Sequence, residues 1–150
     1  MKRTPRMQKI EELMRSDRIV AGGLLGHDQR PVEEIIEADE AELARLDVTR
    51  EALAERMTAL RDRALAELGN TVSVGDKLDV WADDNRGMLI CPFGDGTHCH
   101  KTVTYALRHD TGEQVQWADL NIHLVANHGF FEGRGSAFRM EPARLVEVLF

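Results

Sequence analysis

The sequence predicts an α+β fold, with three N-terminal helices followed by a small antiparallel β-sheet and one or two further helices. Before residue 70, apolar side chains recur every three or four residues, which is the period of an amphipathic helix. After residue 71, apolar and polar residues alternate between turn-forming clusters, as they do in short strands. We therefore divide the 150-residue chain into a helical arm or subdomain, residues 1–70, and an α+β domain, residues 71–150.

Capping residues mark the three N-terminal helices. Thr4-Pro5 starts the first helix, because a hydroxyl group caps the helix and proline is tolerated in its first turn. Gly22-Gly23 ends this helix or its continuation, and Pro31 opens the second. Thr49 caps a third helix over residues 50–68. This third helix carries a heptad-like apolar seam, formed by Leu53, Met57, Leu60, Ala64 and Leu68.

Clusters of turn-forming residues separate the strands that we predict after residue 71. Residues 83–87, Asp-Asp-Asn-Arg-Gly, give a strong turn signal and predict that a strand ends there. Residues 109–112 predict a hairpin turn between a strand over residues 102–108 and a returning strand. Asp119 then caps a helix that stops at about Gly129.

Composition and charge restrict the classes of function. The net charge of −7 argues against broad, non-specific nucleic-acid binding, which needs a cationic surface to displace counterions. No apolar run reaches the roughly 18–20 residues that cross a bilayer. Residues 4–18 are too polar for the apolar part of a secretory signal, so we expect a cytoplasmic protein. In that reducing compartment, its two cysteines are thiols or metal ligands rather than a disulfide.

The side chains that bind zinc best are concentrated in one segment. Residues 90–129 contain both cysteines and five of the six histidines. A structural zinc ion needs four nitrogen or sulfur ligands in a tetrahedron, often two from a hairpin and two from a helix. The sequence therefore predicts a zinc ion held by Cys91 and Cys99 from a hairpin and by His123 and His128 from a helix. A five-residue step turns a helix by about 140°, so the last turn must adjust for the two imidazoles to converge.

The identity of the second ligand stays open at this point. His98, Cys99 and His100 are consecutive, and an extended segment directs only one or two of them inward. We favour Cys99 because thiolates bind zinc tightly, with His100 as its substitute. The alternative without a metal makes His123 a half-buried, hydrogen-bonded histidine, His128 a cation at a helix C-terminus and the cysteines core residues.

The order of a strand pair and a helix, with two cysteines on the first and two histidines on the second, resembles a Cys2His2 zinc finger. The spacing differs, because seven residues separate the cysteines and twenty-three lie between Cys99 and His123. Cys91-Pro92-Phe93 with His100-Lys101-Thr102 also resembles the start of a primase-type zinc ribbon, whose closing cysteine pair is absent here. Each resemblance covers forty residues at most. They imply a structural zinc ion, and we do not extend them to DNA binding.

Two classes of function fit this pattern. The first is a small binding or regulatory module with a structural zinc ion, whose N-terminal helices serve a protein partner or self-association. The alternative is a metal-dependent, hydrolase-like enzyme with three protein ligands, a bound water molecule, and Asp95 or Asp119 as its base. The sequence contains no serine-nucleophile elbow, His-Glu-x-x-His helix or deaminase signature. We therefore favour the binding module and assign no catalytic residue.

Overall fold

The computed structural model describes residues 3–150, which form five helices and a four-stranded antiparallel sheet in the order β1-β2-β3-β4. The strands are β1 (Val72–Val74), β2 (Leu78–Ile90), β3 (His98–Arg108) and β4 (Gln114–Ala118). The helices are α1 (Pro5–Arg15), α2 (Val32–Arg45), α3 (Arg50–Ala66), α4 (Asp119–His128) and α5 (Pro142–Leu149). The predicted α+β class is confirmed, with three helices before the sheet and two after it. No helix within residues 3–150 is long and apolar enough to span a membrane.

The main core lies between one face of the sheet and the helices. Val80, Ala106 and Trp117, from three neighbouring strands, are each 0% exposed. They belong to the same buried cluster as the apolar residues of α5 and four of the five predicted seam residues of α3. The fifth, Leu68, was wrongly included, because α3 ends at Ala66 and the Leu68 side chain is 91% exposed.

The buried seam residues of α3 therefore pack within the chain. Partner binding or self-association through the N-terminal helices stays a prediction, and it would have to use the helix surfaces that face away from the core. The division of the chain at residue 70 also stays a prediction. Residues 1 and 2 of the predicted helical arm lie outside the described range.

A second buried cluster holds α1 against the loop that follows β2. Ile10 and Met14 of α1 belong to it, together with Cys91 and Phe93 of the loop. Arg6 Nη2 donates a hydrogen bond to the Phe93 carbonyl oxygen at 3.3 Å. The helix ends at Arg15, before the Gly22-Gly23 stop that the sequence predicted. The apolar contacts of α1 and the hydrogen bond from Arg6 therefore hold the loop in position.

The strand end predicted at residues 83–87 is wrong. β2 continues through this segment and stays paired with β3, with one irregularity between Asn85 and Met88. Gly87 has a φ of 102° there, and Asn85 Nδ2 donates to the Lys101 carbonyl oxygen at 3.2 Å. These turn-forming residues form a β-bulge instead of a turn, because β3 offers a pairing partner along the whole segment.

A buried polar network fixes the start of α4. Asn121 Oδ1 accepts a hydrogen bond from the Ala118 N–H at 2.8 Å, and Asn121 Nδ2 donates to Glu132 Oε2 at 2.5 Å. Ser136 Oγ donates to the other oxygen of Glu132 at 2.9 Å. Asp119 is the first residue of the helix rather than its cap, because Ala118 occupies the capping position. The side chain of Asn121 therefore satisfies the backbone at this helix end instead.

Glu132 is a buried carboxyl group whose titration differs between the folded and unfolded chain. It is 4% exposed. Burial raises the pKa of Glu132 to about 7, although the hydrogen bonds from Asn121 and Ser136 favour the ionised form. In the unfolded chain the group titrates near its ordinary pKa of 4.5. The folded protein therefore keeps this proton to a higher pH than the unfolded chain does.

We expect the free energy of unfolding to decrease as the pH rises from about 4.5 to about 7, because only the unfolded chain releases the Glu132 proton over that range. Glu132→Gln should reduce this decrease by up to about 3 kcal/mol. Urea unfolding at about pH 5 and about pH 8, with a chelator present, measures the effect. Glu55→Gln, on an exposed position of α3, should behave as wild type. An equal decrease in wild type and Glu132→Gln would contradict the assignment.

Candidate metal centre

The loop between β2 and β3, residues 91–97, places two potential ligands. The Cys91 N–H donates to the Thr97 carbonyl oxygen at 2.9 Å, which closes the loop. Gly94 and Gly96 have φ values of 73° and 79°, a left-handed conformation that glycine adopts without strain. Between them, Asp95 Oδ1 accepts the Thr97 N–H at 3.0 Å. The other carboxylate oxygen of Asp95, Oδ2, therefore remains to contact α4.

Four side chains from the loop and α4 converge. Asp95 Oδ2 lies 2.8 Å from His123 Nε2 and 2.9 Å from His128 Nε2. Cys91 Sγ lies 3.6 Å from His128 Nε2. One potential ligand atom from each of the four residues lies within 4.8 Å of all the others. The group is therefore close enough to hold a metal ion.

Aromatic packing orients the second histidine. The ring of Phe93 stacks on that of His128, with centroids 3.9 Å apart and planes 9° apart. Phe130 in turn meets Phe93 edge-on, with centroids 5.9 Å apart. The two imidazole rings are inclined at 77° to each other, and both Nε2 atoms lie within hydrogen-bond distance of Asp95 Oδ2. α4 extends to His128 and ends at Gly129. The two imidazoles therefore converge through the orientation of their rings.

Asn127 contacts the far side of the first histidine. Its Nδ2 atom lies 3.0 Å from His123 Nδ1 and donates to the His123 carbonyl oxygen at 3.2 Å. Nδ1 accepts this bond when the proton is on Nε2. A metal on Nε2 would move the proton to Nδ1, and rotation of the amide would then present Asn127 Oδ1 as its acceptor. Asn127 can therefore orient His123 in both states.

The carboxylate and the thiol differ in charge. The Thr97 N–H bond, with those from His128 and His123, holds the pKa of Asp95 well below its usual range. Burial raises the pKa of Cys91 to about 12, with a further contribution from the nearby carboxylate of Asp95. Without a metal, Asp95 is ionised and Cys91 is a neutral thiol. A divalent cation would stabilise the thiolate that metal ligation requires.

Three of the four predicted ligands lie in this group, and Asp95 is its fourth member. Cys99 is not in it. That residue lies opposite Leu89 in the β2–β3 register and packs against the second buried cluster. Its proposed substitute, His100, is exposed on β3, as is His98. The three consecutive residues therefore differ in burial: Cys99 is half-buried against the second cluster, and its two neighbours are exposed. Which residues bind a metal stays a prediction.

Sequence reasoning considered Asp95 only as a catalytic base. A signal for its role in the group was present, because Asp95 lies between two glycines four residues after Cys91. Such a loop can turn a carboxylate back towards the thiol, and aspartate is an accepted zinc ligand. The preference for sulfur and nitrogen ligands led to Cys99 instead.

A cleft of about 380 Å³ lies beside His123. Cys99, His100 and Asp119 are among its lining residues. Burial raises the pKa of Asp119, and its Oδ1 atom is buried without a hydrogen-bond partner among residues 3–150. Arg61 Nη1 lies 3.4 Å from the other carboxylate oxygen. The cleft therefore adds a carboxyl group and a guanidinium group next to the four converging side chains.

Comparisons of the chain with protein-family models, curated proteins and solved structures each found no match. The likeness to zinc fingers is therefore limited to ligand types and to the order of the hairpin and the helix. The function of the group has to be inferred from its geometry.

Proposed function

We propose that this protein is a small module in which Cys91, Asp95, His123 and His128 hold one structural zinc ion. The convergence of their four ligand atoms within 4.8 Å carries the proposal. Sulfur, carboxylate oxygen and imidazole nitrogen are all ligands that zinc accepts in tetrahedral sites. The 3.6 Å between Cys91 Sγ and His128 Nε2 is close to a sulfur–nitrogen edge of a zinc tetrahedron, which is about 3.5 Å.

Small movements complete the coordination geometry. The two contacts of Asp95 Oδ2, 2.8 and 2.9 Å, are hydrogen-bond lengths. In a zinc tetrahedron the corresponding oxygen–nitrogen edges are about 3.3 Å, so the carboxylate would withdraw from the imidazoles by about 0.5 Å. Its loop is anchored at both ends by the bond between Cys91 and Thr97, while Asp95 itself is exposed. The carboxylate can therefore move without a change in the sheet.

The ion would join parts of the fold that are distant in sequence. Cys91 and Asp95 lie in the loop that α1 contacts, and both histidines lie on α4. Binding energy would then stabilise the docking of the loop and α1 on α4, because the unfolded chain has no preformed site. This role suits a binding or regulatory module. We propose a cytoplasmic compartment, because Cys91 ligates only as a reduced thiolate.

The cleft beside His123 supports a second candidate, a metal-dependent, hydrolase-like enzyme. Three of the four side chains would hold the metal, a water molecule would take the fourth position, and Asp119 would act as the base. The pKa of Asp119, raised by burial, suits this task. The exposed position of Asp95 makes it the ligand that water replaces most easily. We prefer the structural site because four ligand atoms converge already.

Zinc binding is tested first by removing one histidine. His123→Ala should weaken zinc binding by more than the roughly 10–100-fold that loss of an outer-shell partner costs, because it removes a ligand. Zinc should raise the Tm of wild type, and a chelator should lower it, with neither affecting the variant. Metal content after tag-free purification and thermal unfolding measure both effects. His109→Ala, at an exposed position whose ring contacts Asp79 at 2.9 Å, is the matched control and should retain zinc.

Wild-type protein that binds no zinc, with a Tm that ignores zinc and chelator, would refute the site. The contacts of Asp95 with the two histidines would then be hydrogen bonds of a metal-free cluster.

Cobalt substitution tests which cysteine is a ligand and how many ligands there are. Cys91→Ser should abolish the thiolate-to-cobalt charge-transfer band, whereas Cys99→Ser should retain it, because only Cys91 lies in the converging group. The visible d–d bands should be those of a four-coordinate site without exchangeable water. A band that weakens in Cys99→Ser and persists in part in Cys91→Ser would reinstate the ligand set predicted from the sequence. Exchangeable water on the metal, together with ester hydrolysis that Asp119→Asn abolishes, would support the enzyme.

Asn127 should contribute to zinc affinity without being a ligand. Asn127→Leu removes the acceptor for His123 Nδ1–H and should weaken zinc binding roughly 10–100-fold. Asn127→Asp restores an acceptor and should recover most of the affinity. Competition with a chromophoric chelator measures the affinities, and the cobalt spectrum should keep its band positions in both variants. Unchanged zinc affinity in Asn127→Leu would show that Asn127 does not support the metal site.

A further inference from the structure

On the face of β2 and β3 opposite the main core, the middle of the sheet carries half-buried and exposed side chains. Trp81 and Tyr105 are partners across β2 and β3, and their rings stack with centroids 5.4 Å apart and planes 6° apart. Val103 and Leu107 share this face with Tyr105, because residues two apart on a strand point the same way. All four side chains are half-buried, and neither buried cluster contains them. We call these four residues, with Asp79 and Asp83, the outer face.

The charged residues of the outer face are Asp79 and Asp83, and Lys101 lies on the same side of β3, two residues before Val103. Asp79 and Asp83 lie on either side of Trp81 along β2, and Asp83 is exposed. At the positions of β3 and β4 that lie level with Asp79, Trp81 and Asp83, all the side chains are apolar, tyrosine or glutamine.

Asp79 is already bonded to Ser73 and His109, both at 2.9 Å. Asp83 faces the Tyr105 hydroxyl, whose pKa is raised by burial and by this carboxylate, and Asp83 is more exposed than Asp79. It is therefore the carboxylate that a ligand cation can reach more easily.

The free side of Trp81 lies at an open strand edge. β1 pairs with β2 only as far along β2 as Val80, which lies opposite Val72. From Trp81 onwards, no strand among residues 3–150 pairs with this edge of β2. One face of the indole is stacked on Tyr105. Its other face is turned towards this edge, where an extended segment can lie beside β2. An aromatic ring next to a carboxylate suits a guanidinium group, which stacks on the ring and pairs with the acid.

We propose that the outer face docks an extended, arginine-containing segment of a partner protein, with one guanidinium group stacked on Trp81 and paired with Asp83. A second copy of the chain fits less well, because it would bring the same carboxylates together. Nucleic acid fits less well too: bases stack on aromatic rings, but the phosphates meet an acidic surface. Tryptophan, tyrosine and arginine are also the residues that most often dominate protein interfaces. This proposal does not depend on the metal centre.

A synthetic peptide of alternating arginine and valine residues is the probe. The same peptides with lysine or glutamate replacing arginine are its controls. The chain has two tryptophans, and Trp117 is 0% exposed, so a change in tryptophan fluorescence on titration reports mainly on Trp81. Amide chemical shifts map the binding site. We expect the arginine peptide to bind more tightly than the lysine peptide, the glutamate peptide not to bind, and shifts to concentrate on β2 and β3.

Two variants separate this site from general attraction to an acidic protein. Trp81→Ala and Asp83→Asn should each weaken binding of the arginine peptide at least about fivefold in calorimetric titration. Asp83→Asn leaves the stacked rings in place, so it tests the proposal even if Trp81→Ala unfolds. Glu55→Gln removes one exposed negative charge from α3 and should leave the affinity unchanged.

Equal binding by wild type and both outer-face variants would overturn the proposal. So would concentration-dependent self-association that Trp81→Ala abolishes, which would assign the face to a second copy. Tighter, Trp81-dependent binding of a single-stranded oligonucleotide would assign it to nucleic acid.

Discussion

The long antiparallel pairing of β2 and β3 is the constraint on which most of this structure depends. It extends from Leu78 opposite Arg108 to Ile90 opposite His98, well beyond the parts of the sheet that β1 and β4 join. Its inner face gives the main core a surface for α3. Its closed end is the loop of residues 91–97, so the hydrogen bonds of the two strands determine where Cys91 and Asp95 lie. A shift in register would move the thiol and the carboxylate away from α4 together.

α4 is held by buried polar contacts. These contacts and the pairing of β2 with β3 together produce the site. The first turn of α4 is fixed by Asn121, which bonds both the backbone of Ala118 and the buried Glu132. Glu132 has a φ of 66°, a conformation that costs a non-glycine residue about 1–3 kcal/mol and persists only where its surroundings hold it. Nearby, Arg139 bonds the Glu132 carbonyl oxygen at 2.8 Å and pairs with Asp39 of α2 at 2.6 Å. Polar contacts among distant segments thus place the helix that carries both histidines.

Periodicity was sufficient to predict the fold class from the sequence, and ligand clustering was sufficient to find most of the candidate site. His123, His128 and Cys91 stood out because both cysteines and five of the six histidines fall within residues 90–129. Asp95 did not, because it is one of 26 acidic residues and only the folded loop selects it. The strand end expected at residues 83–87 failed for a related reason. Local preference of Asp, Asn and Gly for turns was outweighed by pairing with β3, a non-local interaction that no short window of sequence contains.

The bulge between Asn85 and Met88 also has a consequence for solubility. A long strand with an unpaired edge can join the edge of another molecule and begin an aggregate. Here the irregular hydrogen-bonding pattern and the positive φ of Gly87 prevent a straight neighbour from pairing along the whole of β2. Asp83, Asp84 and Arg86 add charge to the same stretch. The residues that imitate a turn in the sequence thus act as protection against uncontrolled sheet extension.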